Sequence, residues 1–169
     1  MKSKRLLNIL FVFLLIFSNV GCDQISKQMV RDKISYGETI SVIGNQFIIT
    51  KVENTGAFLS LGESLDPMVK NIILTLLPCL VMLAMLVYIL RKPDMGRISV
   101  FAICCILGGG LGNIFDRALY GSVTDFLHMD FYIFRTGIFN LADVSIMFGV
   151  GLIIMDLFLK RNKEQVIGF

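Results

Sequence analysis

Four long apolar stretches, bounded by polar or charged residues, dominate the pattern of the chain. They lie at about residues 6–22, 70–90, 98–116 and 140–160. An α-helix needs about 20 apolar residues to cross the hydrocarbon core of a bilayer, and each stretch comes close to that length. The pattern therefore predicts four transmembrane helices within a single membrane-embedded domain, residues 1–169.

Basic residues lie near the ends of these stretches. They form three clusters: Lys2, Lys4 and Arg5; Arg91, Lys92 and Arg97; and Lys160, Arg161 and Lys163. In a chain of four spans these clusters fall on one side of the membrane, which the positive-inside rule makes cytoplasmic. Both termini are then predicted to be cytoplasmic. The longer connections, about residues 23–71 and 116–140, are predicted to be extracytoplasmic.

The first long connection carries a strand pattern. β-Branched and aromatic residues are dense between Thr39 and Val52, and Gly44-Asn45 interrupts them as a hairpin turn would. We expect a small antiparallel β-sheet at about residues 38–58, on the outer membrane surface. The predicted fold is thus an α-helical integral membrane protein with four transmembrane helices and a small antiparallel β-sheet in the first extracytoplasmic connection.

Composition agrees with this fold. Of 169 residues, 55% are hydrophobic and 17% are charged, with a mean hydropathy of +0.75. A soluble domain of this length could not bury so much apolar surface, so lipid must cover it. The net charge of +3 is too small to indicate a nucleic-acid partner. The four cysteines show no CxxC spacing and His128 is the only histidine, so neither a disulfide framework nor a zinc site is expected.

Two aspartates, Asp125 and Asp143, lie close to the ends of apolar stretches. Ionisable groups at membrane depth are costly, so they usually face a bundle interior and serve a pathway or a reaction. Two carboxylates brought together can share one proton, which gives one acid and one base at the same pH. Hydrolysis by an activated water needs that pairing. Either aspartate alone, at a helix start, would more often be an N-cap or a partner of the helix dipole.

Polar residues near the two aspartates favour a site over simple caps. Asn140 and Asp143 are three residues apart, and Asn113 and Arg117 are four apart, so each pair shares a helix face where its segment is helical. Both faces lie at outer helix ends, where they can meet.

Five segments, in this order along the chain, resemble the motifs of the lipoprotein signal peptidases (type II signal peptidases). They are Asp23-Gln-x-x-Lys27; Asn54-Thr-Gly56-Ala57-Phe58; Gly108-Gly-Gly-Leu-Gly112-Asn113 with Asp116-Arg117; Val123-Thr-Asp125-Phe126; and Phe139-Asn140-Leu-Ala142-Asp143. The four-span layout matches as well, and the resemblance covers nearly the whole chain. Small departures are Gly110, where alanine is common, and Leu141, where isoleucine or valine is common.

The resemblance implies a membrane aspartyl endopeptidase that removes the signal peptide from bacterial prolipoproteins, cleaving before a diacylglyceryl-modified cysteine. Asp125 and Asp143 match the catalytic aspartates of the family. The residues that match polar positions lining its substrate site are Asn54, Gly56, Asn113, Arg117 and Asn140. No metal or cofactor is implied. The implied partners are diacylglyceryl-modified prolipoproteins and membrane lipids, and we expect a monomer in the bacterial cytoplasmic (inner) membrane with its site near the outer face.

Other matched residues have structural alternatives. Arg117 is expected either to contact substrate or to pair with Asp116 or Asp125. Asp23 and Lys27 match a pair at the outer end of the first span, and they are expected either to support the site or to form only an interfacial ion pair that fixes the helix end. Gly108 and Gly112 form a GxxxG pattern, which favours close helix packing.

The N-terminus resembles a lipoprotein signal peptide, because basic residues and an apolar stretch precede Gly21-Cys22. Asn19 is a poor fit where an aliphatic residue is expected. We therefore expect residues 1–21 to remain as the first span.

Two other functions are compatible with the pattern. One is a small ion or proton-coupled transporter that uses the aspartates as a relay. Four spans without paired halves, and acids grouped at one face, count against it. The other is a non-catalytic scaffold or a lipoprotein, suggested by Gly21-Cys22.

Overall fold

The computed structural model describes residues 2–44, 46–57, 62, 64–131 and 133–167, with side chains from residue 6 to residue 161. The elements follow in the order α1 (Lys2–Lys33), β1 (Thr39–Ile43), β2 (Phe47–Asn54), α2 (Pro67–Arg91), α3 (Arg97–Tyr120), β3 (Val123–Met129) and α4 (Leu141–Ile167). All four helices are long and apolar enough to cross a membrane. The predicted fold class is therefore confirmed.

Helix α1 extends well beyond the predicted end near residue 22. Its last turns carry Asp23, Lys27 and Arg31 at intervals of four, which places them on one helix face. Asp23 and Lys27 are only 1% and 0% exposed, because this face packs inside the bundle. The helix therefore runs about eleven residues past the predicted span, and the expected ion pair between Asp23 and Lys27 is present with Nζ 2.8 Å from Oδ2. Polar residues that normally end a span here meet polar partners on neighbouring helices.

Helix α3 is the centre of the bundle, since α1, α2 and α4 all pack against it. The core between these helices is formed by small and branched side chains: Val12, Ile16, Ile89, Ile103, Cys104 and Leu107. Cys22 lies within α1 with its side chain exposed. The outward faces of all four helices carry large apolar side chains such as Leu14 and Met147, as expected for surfaces that lipid covers.

Glycines allow the helices to approach closely. A Cβ atom at Gly108 would lie 2.4 Å from the Cβ of Asn19, and one at Gly112 would lie 2.5 Å from Oδ2 of Asp23. The close packing predicted for the GxxxG pattern is confirmed, and its partner is α1. Beside Gly108, the side chain of Asn19 accepts a hydrogen bond from Oγ of Ser145 at 2.6 Å, which links α1 to α4.

The three strands form one antiparallel sheet in the order β1-β2-β3. The predicted β1–β2 hairpin is confirmed: Ile43 pairs with Phe47, and Gly44 has a φ of +51°. Asn45 of the predicted turn lies outside the described residues. The sequence pattern missed β3, which comes from the second long connection and pairs along the whole of β2. Because Asp125 lies on β3, this strand brings one of the two aspartates into the sheet.

We predict that Gly149→Ala destabilises the bundle by about 1–3 kcal/mol, because the new methyl group overpacks the interface between α3 and α4. A Cβ at this position would lie 2.5 Å from the backbone oxygen of Ala102 and 2.7 Å from Cγ1 of Ile106. Gly151→Ala, two residues along the same helix, is the matched control, since among the described residues no atom outside its own helical turn lies within 4 Å of its Cβ position. Thermal unfolding in detergent, followed by circular dichroism, measures both. Equal stability of the two variants would contradict the described helix contact.

Candidate active site

The helices α2, α3 and α4 have their ends at Pro67, Tyr120 and Leu141 next to the sheet, and we call this the sheet end of the bundle. A cavity of about 200 Å³ lies there, between the sheet and these helix ends. Its lining combines polar and apolar residues: Asn54, Ala57, Leu74, Pro78, Asn113, Arg117, Val123, Asp125, Ile138, Asn140 and Asp143. Larger cavities of about 630 and 570 Å³ lie at the opposite helix ends, around the α2–α3 connection. Neither contains Asp125 or Asp143. The smaller cavity is therefore the candidate active site, because it differs from the two larger ones in containing both carboxylates.

Asp125 is held in the cavity by the pairing of β2 with β3. Its backbone lies opposite Val52, and its side chain is 4% exposed. One carboxylate oxygen accepts a hydrogen bond from Nδ2 of Asn54 at 2.9 Å, and the other accepts one from Nδ2 of Asn140 at 2.6 Å. Burial raises the pKa of Asp125 from 3.8 to about 6; the amide of Asn54 opposes this rise and the charge of Asp143 adds to it.

Asp143 belongs to the first turn of α4. The backbone oxygen of Asn140 accepts the first helical hydrogen bond, from Val144 N at 3.2 Å, so Asn140 is the N-cap. Its Oδ1 accepts from Asp143 N at 3.0 Å, and Asp143 Oδ2 accepts from Asn140 N at 3.1 Å. This reciprocal pair is a capping box. The other oxygen, Oδ1, accepts from Nδ2 of Asn113 at 2.9 Å. Asp143 is therefore both a capping residue and a carboxylate of the cavity.

Two asparagine amides bridge the carboxylates. Asn140 directs its oxygen to the backbone of Asp143, so its Nδ2 is left to donate to Asp125 and also to Oδ1 of Asn113 at 3.2 Å. The amide oxygen of Asn113 also accepts from Nζ of Lys27 at 2.9 Å, which leaves its Nδ2 for Asp143. The bridge therefore runs from Asp125 through Asn140 and Asn113 to Asp143.

Lys27 lies behind the cavity, and its ammonium group has three oxygen atoms within 3 Å. Nζ lies 2.8 Å from Oδ2 of Asp23, 2.9 Å from Oδ2 of Asp116 and 2.9 Å from Oδ1 of Asn113. Asp23 also accepts from the backbone N of Ala142 at 3.0 Å, so its negative charge lies at the N-terminus of α4. Asp23, Lys27 and Asp116 do not line the cavity; they join α1, α3 and α4 next to it.

Arg117 lines the cavity from α3. Its Nη2 donates to the backbone oxygen of Gly56 at 3.0 Å and its Nη1 to that of Asn113 at 3.4 Å. No ion pair within 4 Å joins it to Asp116 or Asp125, all three of which lie in the described part of the chain, so of the two alternatives for Arg117 the ion pair is wrong. Gly56 N in turn donates to Oδ1 of Asn54 at 2.9 Å. Arg117 thus holds the turn that follows β2 against the bundle.

Helix α2 contributes an irregular turn to the cavity wall. Residues Ile72–Leu76 are π-helical, and Leu77 N donates to the oxygen of Ile72. Pro78 follows and has no N–H with which to bond the oxygen of Leu74, so regular α-helical bonding cannot run through this turn. Leu74 and Pro78 both face the cavity.

Several residues that support the site were missed by the sequence analysis: Gln24, Arg31, Glu53 and Thr124. Arg31 continues the four-residue spacing of Asp23 and Lys27, and that spacing was a usable signal. Gln24 and Thr124 lie within two of the five motifs but were not singled out there. Glu53 gave no signal, because it meets Thr124 only through the register of β2 with β3.

Comparison with known proteins gives the family. Residues 15–159 match the model of a family described as signal peptidase II (SPase II). The chain belongs to the signal peptidase II family. Lipoprotein signal peptidases of Borrelia turicatae and Treponema denticola are 37% and 35% identical to it, over 98% and 90% of this chain and 98% and 94% of their own. The resemblance drawn from the five motifs is confirmed.

Solved structures of bacterial membrane enzymes have a similar fold. A bacterial membrane enzyme determined by the in meso method at 2.3 Å resolution has a TM-score of 0.80 and 28% sequence identity, covering 91% of both chains. A second, at 1.9 Å resolution, has a TM-score of 0.74 and 31% identity, covering 87% of this chain and 92% of its own.

We predict that Asp125→Asn changes how protein stability depends on pH. Because the pKa of Asp125 is raised to about 6 in the folded protein, its contribution to stability is full below pH 4 and is lost as the pH rises through 6. The amide at position 125 of the variant does not ionise, so the stability of the variant does not fall in this way as the pH rises. Relative to wild type, it should gain on the order of 3 kcal/mol between pH 4 and pH 7, at about 1.4 kcal/mol for each pH unit between the two pKa values.

Thermal unfolding in detergent across this pH range measures the difference, with Asp32→Asn, a change at an exposed carboxylate of α1, as the control. Replacing the carboxylate by an amide also removes one hydrogen-bond acceptor from the site, but this change in stability does not vary with pH. A constant difference between variant and wild type from pH 4 to pH 7 would refute the raised pKa.

Proposed function

We propose that this protein is an aspartyl endopeptidase that removes the signal peptide from bacterial prolipoproteins by cleaving before the diacylglyceryl-modified cysteine. The observation that carries the proposal is the pair of carboxylates, Asp125 and Asp143, which line one cavity and are bridged by two asparagine amides. Membership of the signal peptidase II family supports the substrate class.

The two carboxylates act as a coupled pair that holds one proton. Burial raises the pKa of Asp125, which favours the proton on this side chain. Asp143 accepts a backbone N–H at the start of α4, where the helix dipole favours an anion. We therefore assign the role of general base to Asp143 and that of general acid to Asp125.

In this mechanism Asp143 takes a proton from the attacking water as the water adds to the scissile carbonyl carbon. Asp125 donates its proton toward the carbonyl oxygen, on which negative charge develops. Collapse of the tetrahedral intermediate re-forms the C=O bond and breaks the C–N bond. The hydroxyl proton returns to Asp125, and the proton taken up by Asp143 passes to the leaving amine, so the pair again holds one proton. Asn54 and Asn140 keep the carboxyl group of Asp125 in one orientation throughout.

The lining of the cavity suits a lipid-linked substrate. Besides the carboxylates it includes apolar residues, and we call Ala57, Leu74, Pro78 and Ile138 its apolar wall. We place the signal-peptide helix and the acyl chains along this wall, entering sideways from the bilayer. The membrane is the bacterial inner membrane, with both termini cytoplasmic and the sheet end near the outer face. A single domain of residues 1–169 works as a monomer.

We predict that Asp125→Asn and Asp143→Asn each reduce cleavage of a diacylglyceryl-modified prolipoprotein by at least about 10³-fold, because neither amide can act as the base or carry the shared proton. The double variant should be no worse than either single one, since the residues act as a unit. Gel-shift assays with purified protein in detergent measure turnover, and Asp32→Asn should keep full activity. Substantial cleavage by either single variant would reject the mechanism, and aspartate-dependent ion flux without proteolysis in liposomes would favour a transporter.

We also predict that cleavage depends on the lipid. Acyl chains along the apolar wall hold the scissile bond at the carboxylates, so that binding energy from a remote part of the substrate is used at the reacting bond. The same precursor without the diacylglyceryl group should be cleaved with a kcat/KM at least about tenfold lower. Parallel assays of the two precursors at equal detergent concentration test this. Equal rates would rule out a role for the acyl chains in positioning.

A further inference from the structure

The two carboxylates come from different parts of the fold. Asp125 is carried by β3 of the sheet, whereas Asp143 is carried by α4 of the bundle. The distance between them therefore depends on how firmly the sheet is joined to the bundle. A displacement of about 1 Å at a reacting group can reduce a rate by about 10²-fold, so the joint itself matters for the reaction.

One part of the joint is apolar. Val30 of α1 and Ile34, which directly follows α1, pack with Phe126 of β3, and the half-buried Ile49 and Leu127 pack against them. Such contacts hold surfaces together but are non-directional. They do not by themselves fix the position of β3 along the helix.

Arg31 supplies a directional contact at the same place. Its Nε donates to Oγ1 of Thr124 in β3 at 2.8 Å, and its Nη2 donates to Oδ1 of Asp116 in α3 at 2.9 Å. The ring of Tyr120 lies 4.1 Å from Cζ and covers one face of the guanidinium. Because that group is planar and rigid, its two donors keep a fixed geometry. A single side chain of α1 thus binds the sheet with one donor and the bundle with another.

Thr124 extends this contact into the sheet. Its side chain is fully buried, and its hydroxyl accepts from Arg31 while donating to Oε1 of Glu53 at 2.8 Å. The other carboxylate oxygen of Glu53 accepts from Oγ of Ser122 at 2.6 Å. Since adjacent strand residues face opposite sides, Thr124 can face α1 while Asp125 faces the cavity.

Asp116 is where this contact meets the network behind Asp143. Its Oδ1 binds Arg31, and its Oδ2 lies 2.9 Å from Nζ of Lys27. Lys27 in turn contacts Asn113, which donates to Asp143. One buried carboxylate therefore connects a path toward each member of the aspartate pair.

We propose that Arg31 is a positioning residue for the aspartate pair, which holds the strand carrying Asp125 at a fixed place relative to the helix carrying Asp143 through its bonds to Thr124 and Asp116. The inference rests on the proposed peptidase function. Arg31 does not line the cavity, so it acts through these two residues and does not touch the substrate.

The test compares four variants in cleavage of a lipidated prolipoprotein. Arg31→Lys keeps the charge but cannot bind both partners through a rigid fork, and Thr124→Val removes the hydroxyl with little change in shape. Both should reduce kcat by about 10- to 100-fold with KM changed by less than about threefold, because the pair is misplaced while the binding wall is intact. Thr124→Ser keeps the hydroxyl and should retain most of the wild-type kcat. Arg135→Gln, which breaks an exposed ion pair with Asp130 at the far end of β3, should have no effect.

The double variant Arg31→Lys/Thr124→Val distinguishes positioning from general loss of stability. If the two residues act through one contact, its kcat should match that of the worse single variant, whereas independent damage would multiply. Circular dichroism confirms that each protein is folded at the assay temperature; should Arg31→Lys fail to fold, the valine and serine variants of Thr124 decide the question.

Three results would each overturn the inference. They are a wild-type kcat in Arg31→Lys or Thr124→Val, equal losses of kcat in Thr124→Ser and Thr124→Val, and a loss in the double variant equal to the product of the two single losses. An inactive wild type would reject the peptidase function instead, and an active Asp125→Asn would reject the aspartyl mechanism. The two failures are therefore distinguishable.

Discussion

The buried ammonium group of Lys27 is the constraint on which the rest of the structure depends. A charge removed from water costs several kcal/mol unless partners compensate it fully, and here the compensation comes from Asp23, Asp116 and Asn113 at 2.8–2.9 Å. These partners belong to α1 and α3, and Asp23 reaches on to the backbone of α4. The three helices must therefore meet at one point for the charge to be tolerated. The cavity lies directly beside that point.

Close approach of the helices makes this compensation possible. Without a side chain at Gly112, the carboxylate of Asp23 fits between α1 and α3 and still reaches Ala142. Gly108, one turn along α3, leaves space for Asn19 in the same way. Small residues in membrane helices usually serve backbone packing. In this protein one of them also makes room for a charged group.

Much of the fold and of the candidate site could be predicted from the sequence, because the signals are local. Apolar stretches gave the four spans, and the spacings of Asn113 with Arg117 and Asn140 with Asp143 gave one side of the cavity. The rest depends on contacts between distant segments. The extension of α1 to Lys33 is stabilised by its partners on α3, and β3 exists because β2 offers it an edge. For Arg117 the sequence suggested carboxylate partners, but its guanidinium binds backbone oxygens that only the fold brings near.

The capping box at the start of α4 has a consequence for how the two aspartates would persist over evolutionary time. Asp143 supports the first turn of a helix that the bundle needs, because its carboxylate accepts the backbone N–H of the N-cap residue Asn140. Asp125 instead keeps an ionisable group out of water, which opposes folding at neutral pH. In a descendant that no longer used the activity, selection would act on folding alone. It would retain a hydrogen-bond acceptor at position 143 and allow other residues at position 125. Under the proposed mechanism, a chain of this fold that kept only the helix-capping aspartate would keep the fold and lack the peptidase activity.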